Sequence, residues 1–270
     1  MNSINIIYIN MRREIDLSIS AYGVTRPLEY DMVILPWGAT EPHNLHLPYM
    51  TDAILAHDVA VDAAQLALER YGIRTMVLPP VAMGAQNPGQ RDLKFCIHYR
   101  FDTQRAILAD MVASLHHQGF RKLLIVNGHG GNSFKSMIRD LAVDYPDFII
   151  LSSEWFNVLP GKEWFDEPGD HADELETSVM MHYHPELVNL NEAGPGRANP
   201  FALQSLREKT AWMPRHWNRV SEDTGIGNPC LATAEKGQRF AEAVAQKYAL
   251  LLKELAAVND EQDFYEKVKR

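Results

Sequence analysis

Short runs of apolar residues alternate with longer segments of helical periodicity through the first 150 residues. Four runs have the length and composition of buried strands, and they lie at 32–35, 75–79, 122–126 and 148–152. Apolar side chains recur at helical spacing in three intervening segments, at 52–71, 102–117 and 132–144. This alternation predicts a three-layer α/β/α fold with a mainly parallel sheet.

The second half of the chain is less regular. A helix is predicted over 172–182, and the strongest helical pattern of the chain lies at 233–258. The segment 189–228 is rich in Pro, Gly, Arg and Trp and lacks periodicity, which indicates an irregular lobe or a contact between subunits. We expect a single domain over residues 1–270, because neither a repeat nor a linker separates these parts.

The amino-acid composition argues against nucleic acid and membranes as binding partners. A formal net charge of −9 provides no basic surface for nucleic acid or anionic lipid. No apolar run approaches the roughly 20 residues that span a bilayer, and residues 1–10 lack the features of a signal peptide. The two cysteines, Cys96 and Cys230, lie far apart, which fits a reducing compartment. We therefore expect a cytoplasmic protein that binds neither nucleic acid nor membranes.

Two loops that follow predicted strands carry metal-binding residue types. The first loop contains Glu41, His43, His46 and Asp52, and the second, Asn-Gly-His-Gly-Gly-Asn at 127–132, contains His129. Loops at the carboxyl ends of parallel strands meet at one edge of a sheet, where α/β proteins place their sites. Imidazole and carboxylate without thiolate suit zinc, manganese or iron. Chance would explain one such loop, but two favour a metal site.

Some of these residues also have simpler explanations. Asp52 is either the N-cap of the helix predicted to begin there or a bridge between two ions, one on each oxygen. His46 lies outside the two-residue alternation of Glu41 and His43, so packing or a supporting hydrogen bond is favoured for it. A helix beginning near Asn132 would offer free N–H groups to an oxyanion.

A third candidate group lies at the start of the helix predicted over 172–182. It contains His171 and Glu176, within the sequence Asp-His-Ala-Asp-Glu-Leu-Glu at 170–176. Glu176 could orient His171 or reach a metal. Acidic residues at a helix N-terminus are also favoured by the helix dipole alone, which is the simpler interpretation.

The three motifs together resemble the creatininase family of metal-dependent amidohydrolases. The similarity includes 38–48 with Asp52, 127–132, 171–178 and a fourth segment at 224–237, in family order over about residues 30 to 255. It implies the α/β/α fold and a dinuclear centre. Glu41, Asp52 and His129 would hold one ion, and His43 and Asp52 the other. The resemblance also implies a homo-oligomer, typically a hexamer.

The chain departs from the pattern of the creatininases themselves at several positions. Gly131 stands where they have a glutamate ligand of the second ion, so Glu176 or a water is expected to complete that ion. The segments 84–90 and 95–98 also differ, which indicates an altered substrate wall. The loop before His171 lacks an aromatic residue that would cover creatinine, although Trp155 and Trp164 lie nearby in sequence.

These observations predict a hydrolase of a non-peptide C–N amide bond, in a cyclic amide or a formamide. The expected ligands of two divalent ions (Zn, Mn or Fe) are Glu41, His43, Asp52, His129 and Glu176. A metal-activated water would attack the carbonyl, and His171, oriented by Glu176, would carry the proton to the leaving nitrogen. Two alternatives stay open: a peptidase-like enzyme that matures a small modified peptide, and a catalytically silent scaffold that binds metal or ligand. Creatinine is not expected to be the preferred substrate.

Overall fold

A four-stranded parallel sheet lies at the centre of the computed structural model, which describes residues 11–259 and 261–266. The strands are β1 (Met32–Trp37), β2 (Thr75–Val77), β3 (Lys122–Asn127) and β4 (Ile149–Glu154). Their order is β2-β1-β3-β4, and every neighbouring pair is parallel. The sheet therefore places the carboxyl ends of its two central strands, β1 and β3, side by side.

Among the described residues, five longer helices cover this sheet. They are α1 (Thr51–Tyr71), α2 (Phe101–His117), α3 (Lys135–Asp144), α4 (Glu174–Tyr183) and α5 (Ala234–Ala257). One-turn helices lie at Tyr22–Thr25, Gln204–Arg207 and Trp217–Val220. Single 3-10 turns lie at Gln90–Asp92, Trp155–Asn157, Gly161–Glu163, Pro185–Leu187, Leu190–Glu192, Pro229–Leu231 and Glu261–Phe264. None of the described helices is both long enough and apolar enough to cross a bilayer.

The side chains of β1 alternate between two hydrophobic layers. Met32 and Ile34 pack into a core formed with α1, α4 and α5. Val33 and Leu35 pack on the opposite face, into a core formed with α2 and α3. Every residue of β1 is buried because helices cover both faces of a parallel sheet. The three-layer α/β/α fold predicted from the sequence is confirmed.

Pro36 lies in this central strand, where a missing N–H is usually unfavourable. Its carbonyl oxygen accepts a hydrogen bond from the N–H of Val81, 3.0 Å away. Strand β2 ends at Val77, opposite Ile34, so Pro36 lies beyond the end of that ladder. The strand therefore accommodates proline at the end that leads into the first ligand-rich loop.

Three of the differences between the observed and the predicted helix starts affect the candidate site. Helix α3 begins at Lys135, not near Asn132, so its free N–H groups lie further from the glycine-rich loop. The N-cap of α1 is Met50, so the N-cap explanation of Asp52 is wrong. Helix α4 begins at Glu174, where the Asp173 side chain accepts a hydrogen bond from the N–H of Glu176 and caps the helix.

Candidate metal centre

The candidate metal residues converge where β1 and β3 end beside the start of α1. Trp37 and Asn127, the last residues of the two strands, are register partners. Glycine follows each strand, and both glycines allow close approach to the start of α1. A Cβ at Gly38 would lie 2.4 Å from the backbone nitrogen of Ala53, and one at Gly128 would lie 2.2 Å from the carbonyl oxygen of Asp52. The two glycines therefore bring both strand-end loops against Asp52.

A first ligand group consists of Glu41, Asp52 and His129. Nδ1 of His129 lies 2.8 Å from Oε1 of Glu41 and 3.1 Å from Oδ2 of Asp52. All three side chains are buried, and their ligand atoms lie within 4.8 Å of one another. Carboxylate oxygens and an imidazole nitrogen at this spacing suit a divalent transition metal.

A second group consists of His43, Asp52 and Glu176. Nε2 of His43 lies 2.8 Å from Oδ1 of Asp52, and the ligand atoms of the three side chains again lie within 4.8 Å of one another. Asp52 therefore takes part in both groups through different oxygens, as a carboxylate that bridges two ions would. Glu176 is the residue that was expected to complete the second ion in place of a glutamate at Gly131, and its carboxylate lies within this group.

His171 belongs to a third group, with Glu41 and His43. Its Nδ1 lies 3.7 Å from Oε1 of Glu41, and its Nε2 lies 2.9 Å from the carbonyl oxygen of Pro42. The residue precedes α4 instead of lying on the helix, since the backbone turns through a positive φ of 49° at Ala172. The ring of His171 is therefore oriented by a backbone carbonyl.

Glu176 supports this segment through the backbone. Its Oε2 accepts a hydrogen bond from the N–H of Ala172, at 2.6 Å, and not from the ring of His171. Burial raises the pKa of Glu176 to about 8. The Glu176 carboxylate is thus held in place by the N–H of Ala172 and lies close to His43 and Asp52.

The buried charges of the centre stabilise one another. Although burial lowers the pKa of His43, the Asp52 carboxylate raises it to about 10. Burial likewise opposes the charged form of His129, but Glu41 and Asp52 hold its pKa well above the ordinary value. Such concentrated carboxylates need compensating positive charge, which protons on the imidazoles or divalent cations can supply.

The arrangement passes a simple test of fit to a metal. Oδ2 of Asp52 is buried and has no aligned hydrogen-bond partner among the described residues, although His129 lies 3.1 Å away. A buried carboxylate oxygen normally has a partner, so an unpartnered one facing other ligand atoms fits coordination to a cation. The residues present therefore fit the divalent ions that the sequence predicted, and their roles as ligands stay predictions.

His46 lies outside all three groups. Its Nε2 is 2.8 Å from Oγ1 of Thr177, and the ring is buried. Thr177 belongs to α4, so this contact ties the first ligand loop to the helix that carries Glu176. The position matches the supporting role that was favoured for His46.

The loop at 127–132 is held by its own asparagines. Nδ2 of Asn127 donates to the carbonyl oxygen of His129, while Oδ1 of Asn127 accepts from the N–H of His129. Asn132 donates to the carbonyl oxygen of Gly38, 3.1 Å away, and so joins the two strand-end loops. These contacts, and not a helix N-terminus, set the position of His129.

Gln90 is a site residue that the sequence analysis did not identify. Its Nε2 donates to Oε2 of Glu41, at 2.5 Å, and its Oε1 accepts from the N–H of Asn87. Gln90 is buried, and it leaves Oε1 of Glu41 to face His129 and His171. The only signal in the sequence was the departure of segment 84–90 from the family pattern.

The absence of a side chain at Gly131 has a structural reason. A Cβ there would lie 2.1 Å from the carbonyl oxygen of Ala85 and 2.4 Å from Nε2 of His129. That carbonyl accepts from Nε2 of His129, at 2.8 Å. The segment after β2 thus occupies the space that a glutamate at 131 would need.

A cavity of about 1180 Å³ opens onto this centre. Glu41, His129 and His171 contribute to one end of its lining. The segment predicted as an irregular lobe supplies an apolar wall, formed by Phe201, Leu206, Trp212, Met213 and Trp217. The aromatic residue against His171 is Trp217, at 5.2 Å between ring centroids, whereas Trp155 is buried in the core and Trp164 packs on Phe240.

Comparison with known proteins identifies the family. The creatinine amidohydrolase (creatininase) family model matches residues 24–252. The chain belongs to the creatininase family. The chain is therefore a creatininase-family amidohydrolase, and the family resemblance drawn from its motifs is confirmed.

Individual relatives differ in their described activities. The mycofactocin precursor peptide peptidase of Mycobacterium ulcerans is 32% identical over 230 residues, which cover 81% of this chain and 83% of the peptidase. The crystal structure of a candidate creatinine amidohydrolase from Bacteroides fragilis has 61% identity and a TM-score of 0.91, with 94% of this chain and 99% of that chain covered. A solved creatininase described with manganese shares the fold, at a TM-score of 0.72, 21% identity and coverage of 90% and 99%.

Proposed function

We propose that this creatininase-family protein uses two divalent metal ions to hydrolyse a C–N amide bond in a small cyclic amide or a formamide. The observation that carries the proposal is the convergence of two ligand groups that share Asp52 through different oxygens. The fit of these side chains to zinc, manganese or iron, and the manganese described for a related creatininase, support it.

Each ion would have its own ligands from this chain. Glu41, Asp52 and His129 would hold one ion, and His43, Asp52 and Glu176 the other. Bound ions of this kind lower the pKa of water to about 7 and polarise a carbonyl group, so no strong side-chain base is required. Gln90 keeps Oε1 of Glu41 directed at His129.

His171 has the position for proton transfer. Its Nε2–H donates to the carbonyl oxygen of Pro42, which leaves Nδ1 as the free acceptor on the side of Glu41. The ring also lines the cavity, so a substrate amide bound there has a proton carrier beside it. His171 would accept a proton at Nδ1 and give it to the leaving nitrogen, while Glu176 holds the adjacent backbone N–H.

Metal analysis and a substrate panel test the proposal. We expect at least one zinc, manganese or iron ion per chain after gentle purification, and loss of activity on chelation that is reversed by added metal. The panel contains lactams, hydantoins, formamides and short peptides, and we expect turnover of the small amides. Less than one ion per chain would contradict the metal centre, and metal binding with no turnover would favour the scaffold alternative.

The catalytic efficiency on creatinine should distinguish this protein from an enzyme whose substrate is creatinine. Gly131 and the altered segment 84–90 change the wall that such a substrate would contact. Polar groups left unpaired by a mismatched substrate discriminate by roughly 10⁴-fold. We therefore expect kcat/KM for creatinine to fall below the roughly 10⁴ M⁻¹s⁻¹ at the lower end of ordinary enzymes. A value in that range, measured with added manganese or zinc, would identify creatinine as the substrate.

A peptidase-like activity is the second candidate, and the size of the cavity favours it. A volume of about 1180 Å³ exceeds what a small cyclic amide needs, since small-molecule sites typically measure about 300–1,000 Å³. The mycobacterial relative is described as a peptidase, which also supports this candidate. Hydrolysis of short peptides in the panel, without hydrolysis of lactams or formamides, would establish this alternative.

A further inference from the structure

Gln86 is a buried glutamine in the cavity wall whose carboxamide has no protein partner. The residue is 9% exposed and lines the cavity. Neither Oε1 nor Nε2 has a hydrogen-bond partner among the described residues, and both atoms are buried. Buried polar groups are normally paired, so this side chain needs an explanation.

The backbone around Gln86 is fixed close to the metal centre. The N–H of Gln86 donates to Nδ1 of His98, at 2.9 Å. The preceding carbonyl, of Ala85, accepts from Nε2 of His129, at 2.8 Å. Gln86 is therefore one residue away from a direct contact to a candidate metal ligand. Its neighbours hold the backbone and leave the carboxamide as the unassigned group.

An apolar side chain of the same size would avoid the unmet hydrogen bonds. The carboxamide is therefore unfavourable for folding unless a ligand pairs with it. The terminal torsion of a glutamine is broad, so the carboxamide can turn toward a ligand at little cost. We propose that Gln86 is a specificity-determining residue that pairs with the amide group of a cyclic-amide substrate. This inference rests on the proposed function, and it selects the cyclic amide among the candidate substrates.

The chemistry of a free carboxamide supports this ligand class. Gln86 offers one acceptor and one donor from the same planar group. A lactam or an imide presents an N–H and a C=O on one edge, so it makes both hydrogen bonds at once. A trans secondary amide, as in a peptide or an N-alkyl formamide, has its N–H and C=O on opposite sides and makes only one. The apolar wall that includes Trp217 would face the ring of such a substrate.

Binding of two small probes tests the inference without requiring turnover. The probes are 2-pyrrolidinone, a cyclic cis amide, and N-methylacetamide, a trans amide, titrated against the metal-loaded protein and followed by ligand-observed NMR. We expect the natural protein to prefer 2-pyrrolidinone. In Gln86→Met, which keeps length and flexibility, the preference should fall by up to about tenfold, because 2-pyrrolidinone loses two hydrogen bonds and N-methylacetamide only one. The Tm should be unchanged or higher, since an unpaired polar group is removed.

Controls separate this result from a structural effect. Gln238→Leu removes an exposed glutamine carboxamide from α5, and it should leave the preference unchanged. Gln86→Leu is a second variant in case Gln86→Met does not fold. An unchanged preference in a folded Gln86 variant, or no preference in the natural protein, would overturn the inference. Loss of preference without hydrolysis in the substrate panel would support the role of Gln86 in binding and refute the proposed function.

Discussion

Two clusters of histidine and carboxylate lie on different sides of α1, and they differ in geometry more than in composition. The centre contains Glu41, His43, Asp52, His129, His171 and Glu176. The outer cluster contains Asp16, His57, Asp58 and His184. In the outer cluster, Nε2 of His57 lies 3.1 Å from Oδ1 of Asp16, and Nε2 of His184 lies 2.7 Å from Oδ2 of Asp58. Both clusters therefore contain short imidazole–carboxylate contacts.

The two clusters differ in how closely their potential ligand atoms approach one another. Three different triplets of the centre bring their ligand atoms within 4.8 Å of one another. Among the described residues no triplet of the outer cluster does so. The outer contacts form a chain from Asp16 through His57 and Asp58 to His184. Asp16 Oδ1 also accepts a hydrogen bond from the N–H of Ser18, at 2.9 Å. Residue type alone does not indicate a metal site, whereas several ligand groups that share one buried carboxylate do.

The strongest test of this distinction removes the charge of Asp52. In Asp52→Asn the side chain keeps its size but loses the anionic oxygens that both ligand groups share. We expect loss of nearly all bound metal and of activity, by a factor of about 10³ or more, because both ions lose a ligand. Metal content per folded chain and kcat/KM on the best panel substrate measure the effect. Asp58→Asn, in the outer cluster, is the matched control and should retain its metal. Full metal content in Asp52→Asn would refute the bridging role.

His129→Gln should have the next largest effect. Glutamine keeps approximate size but lacks the imidazole nitrogen that faces Glu41 and Asp52. We expect loss of the ion held by Glu41, Asp52 and His129, so metal content should fall by about one ion per chain. Elemental analysis of the folded variant measures this. His184→Gln is the control from the outer cluster, and equal metal content in the two variants would contradict the assignment.

Gln90 tests whether support of a ligand matters as well as the ligand itself. Gln90→Leu removes the hydrogen bond to Oε2 of Glu41 but leaves every proposed ligand in place. Loss of such supporting partners typically costs about 10–100-fold in metal affinity or activity. We expect an effect of this size on the metal dissociation constant, measured by competition with a chelator. Gln65→Leu, on the outer part of α1, is the control. An unchanged affinity in Gln90→Leu would show that Glu41 needs no such support.

The sequence predicted the fold and most of the centre because both depend on local patterns. The apolar runs at β1 and β3 are continuous, and the candidate ligands Glu41, His43 and His129 follow them within a few residues. The supporting residues were not predictable in the same way. Gln90 reaches Glu41 across 49 positions, and Trp217 reaches His171 from a segment without periodicity. Such contacts depend on how irregular segments fold back onto the sheet, and no periodicity encodes this.

The exact helix starts were also not predictable from local sequence preferences alone. Asp52 is a favourable N-cap residue, but its carboxylate contacts His43, and Met50 takes the cap position. The glycine-rich loop ends three residues before α3. The side chains of its two asparagines donate hydrogen bonds to the carbonyl oxygens of His129 and Gly38. In both places a long-range contact replaces the local preference that the sequence suggested.

The smallest expected effect concerns the outer cluster. There the pairing of the His57 imidazole with carboxylates should make the free energy of unfolding depend on pH. Although burial lowers the pKa of His57, its hydrogen bonds to Asp16 and Asp58 raise it to about 9, from 6.5. A histidine with a raised folded-state pKa stabilises the fold fully below the unfolded-state pKa. That contribution is lost as the pH rises through the folded-state value. The window for His57 therefore runs from about pH 6.5 to about pH 9.

His57→Gln should remove this pH-dependent contribution and leave the metal centre intact. Full conversion of the shift would give roughly 3 kcal/mol. The His57 side chain is 15% exposed, so we expect about 1–2 kcal/mol after allowance for solvent screening. Urea unfolding of the metal-loaded protein measures the difference in unfolding free energy between natural protein and variant. That difference should be largest near pH 6 and should shrink by pH 9.5. His117→Gln, exposed at the end of α2, is the control variant. A difference that is constant with pH would show that Asp16, His57 and Asp58 stabilise the fold by packing and not by charge pairing.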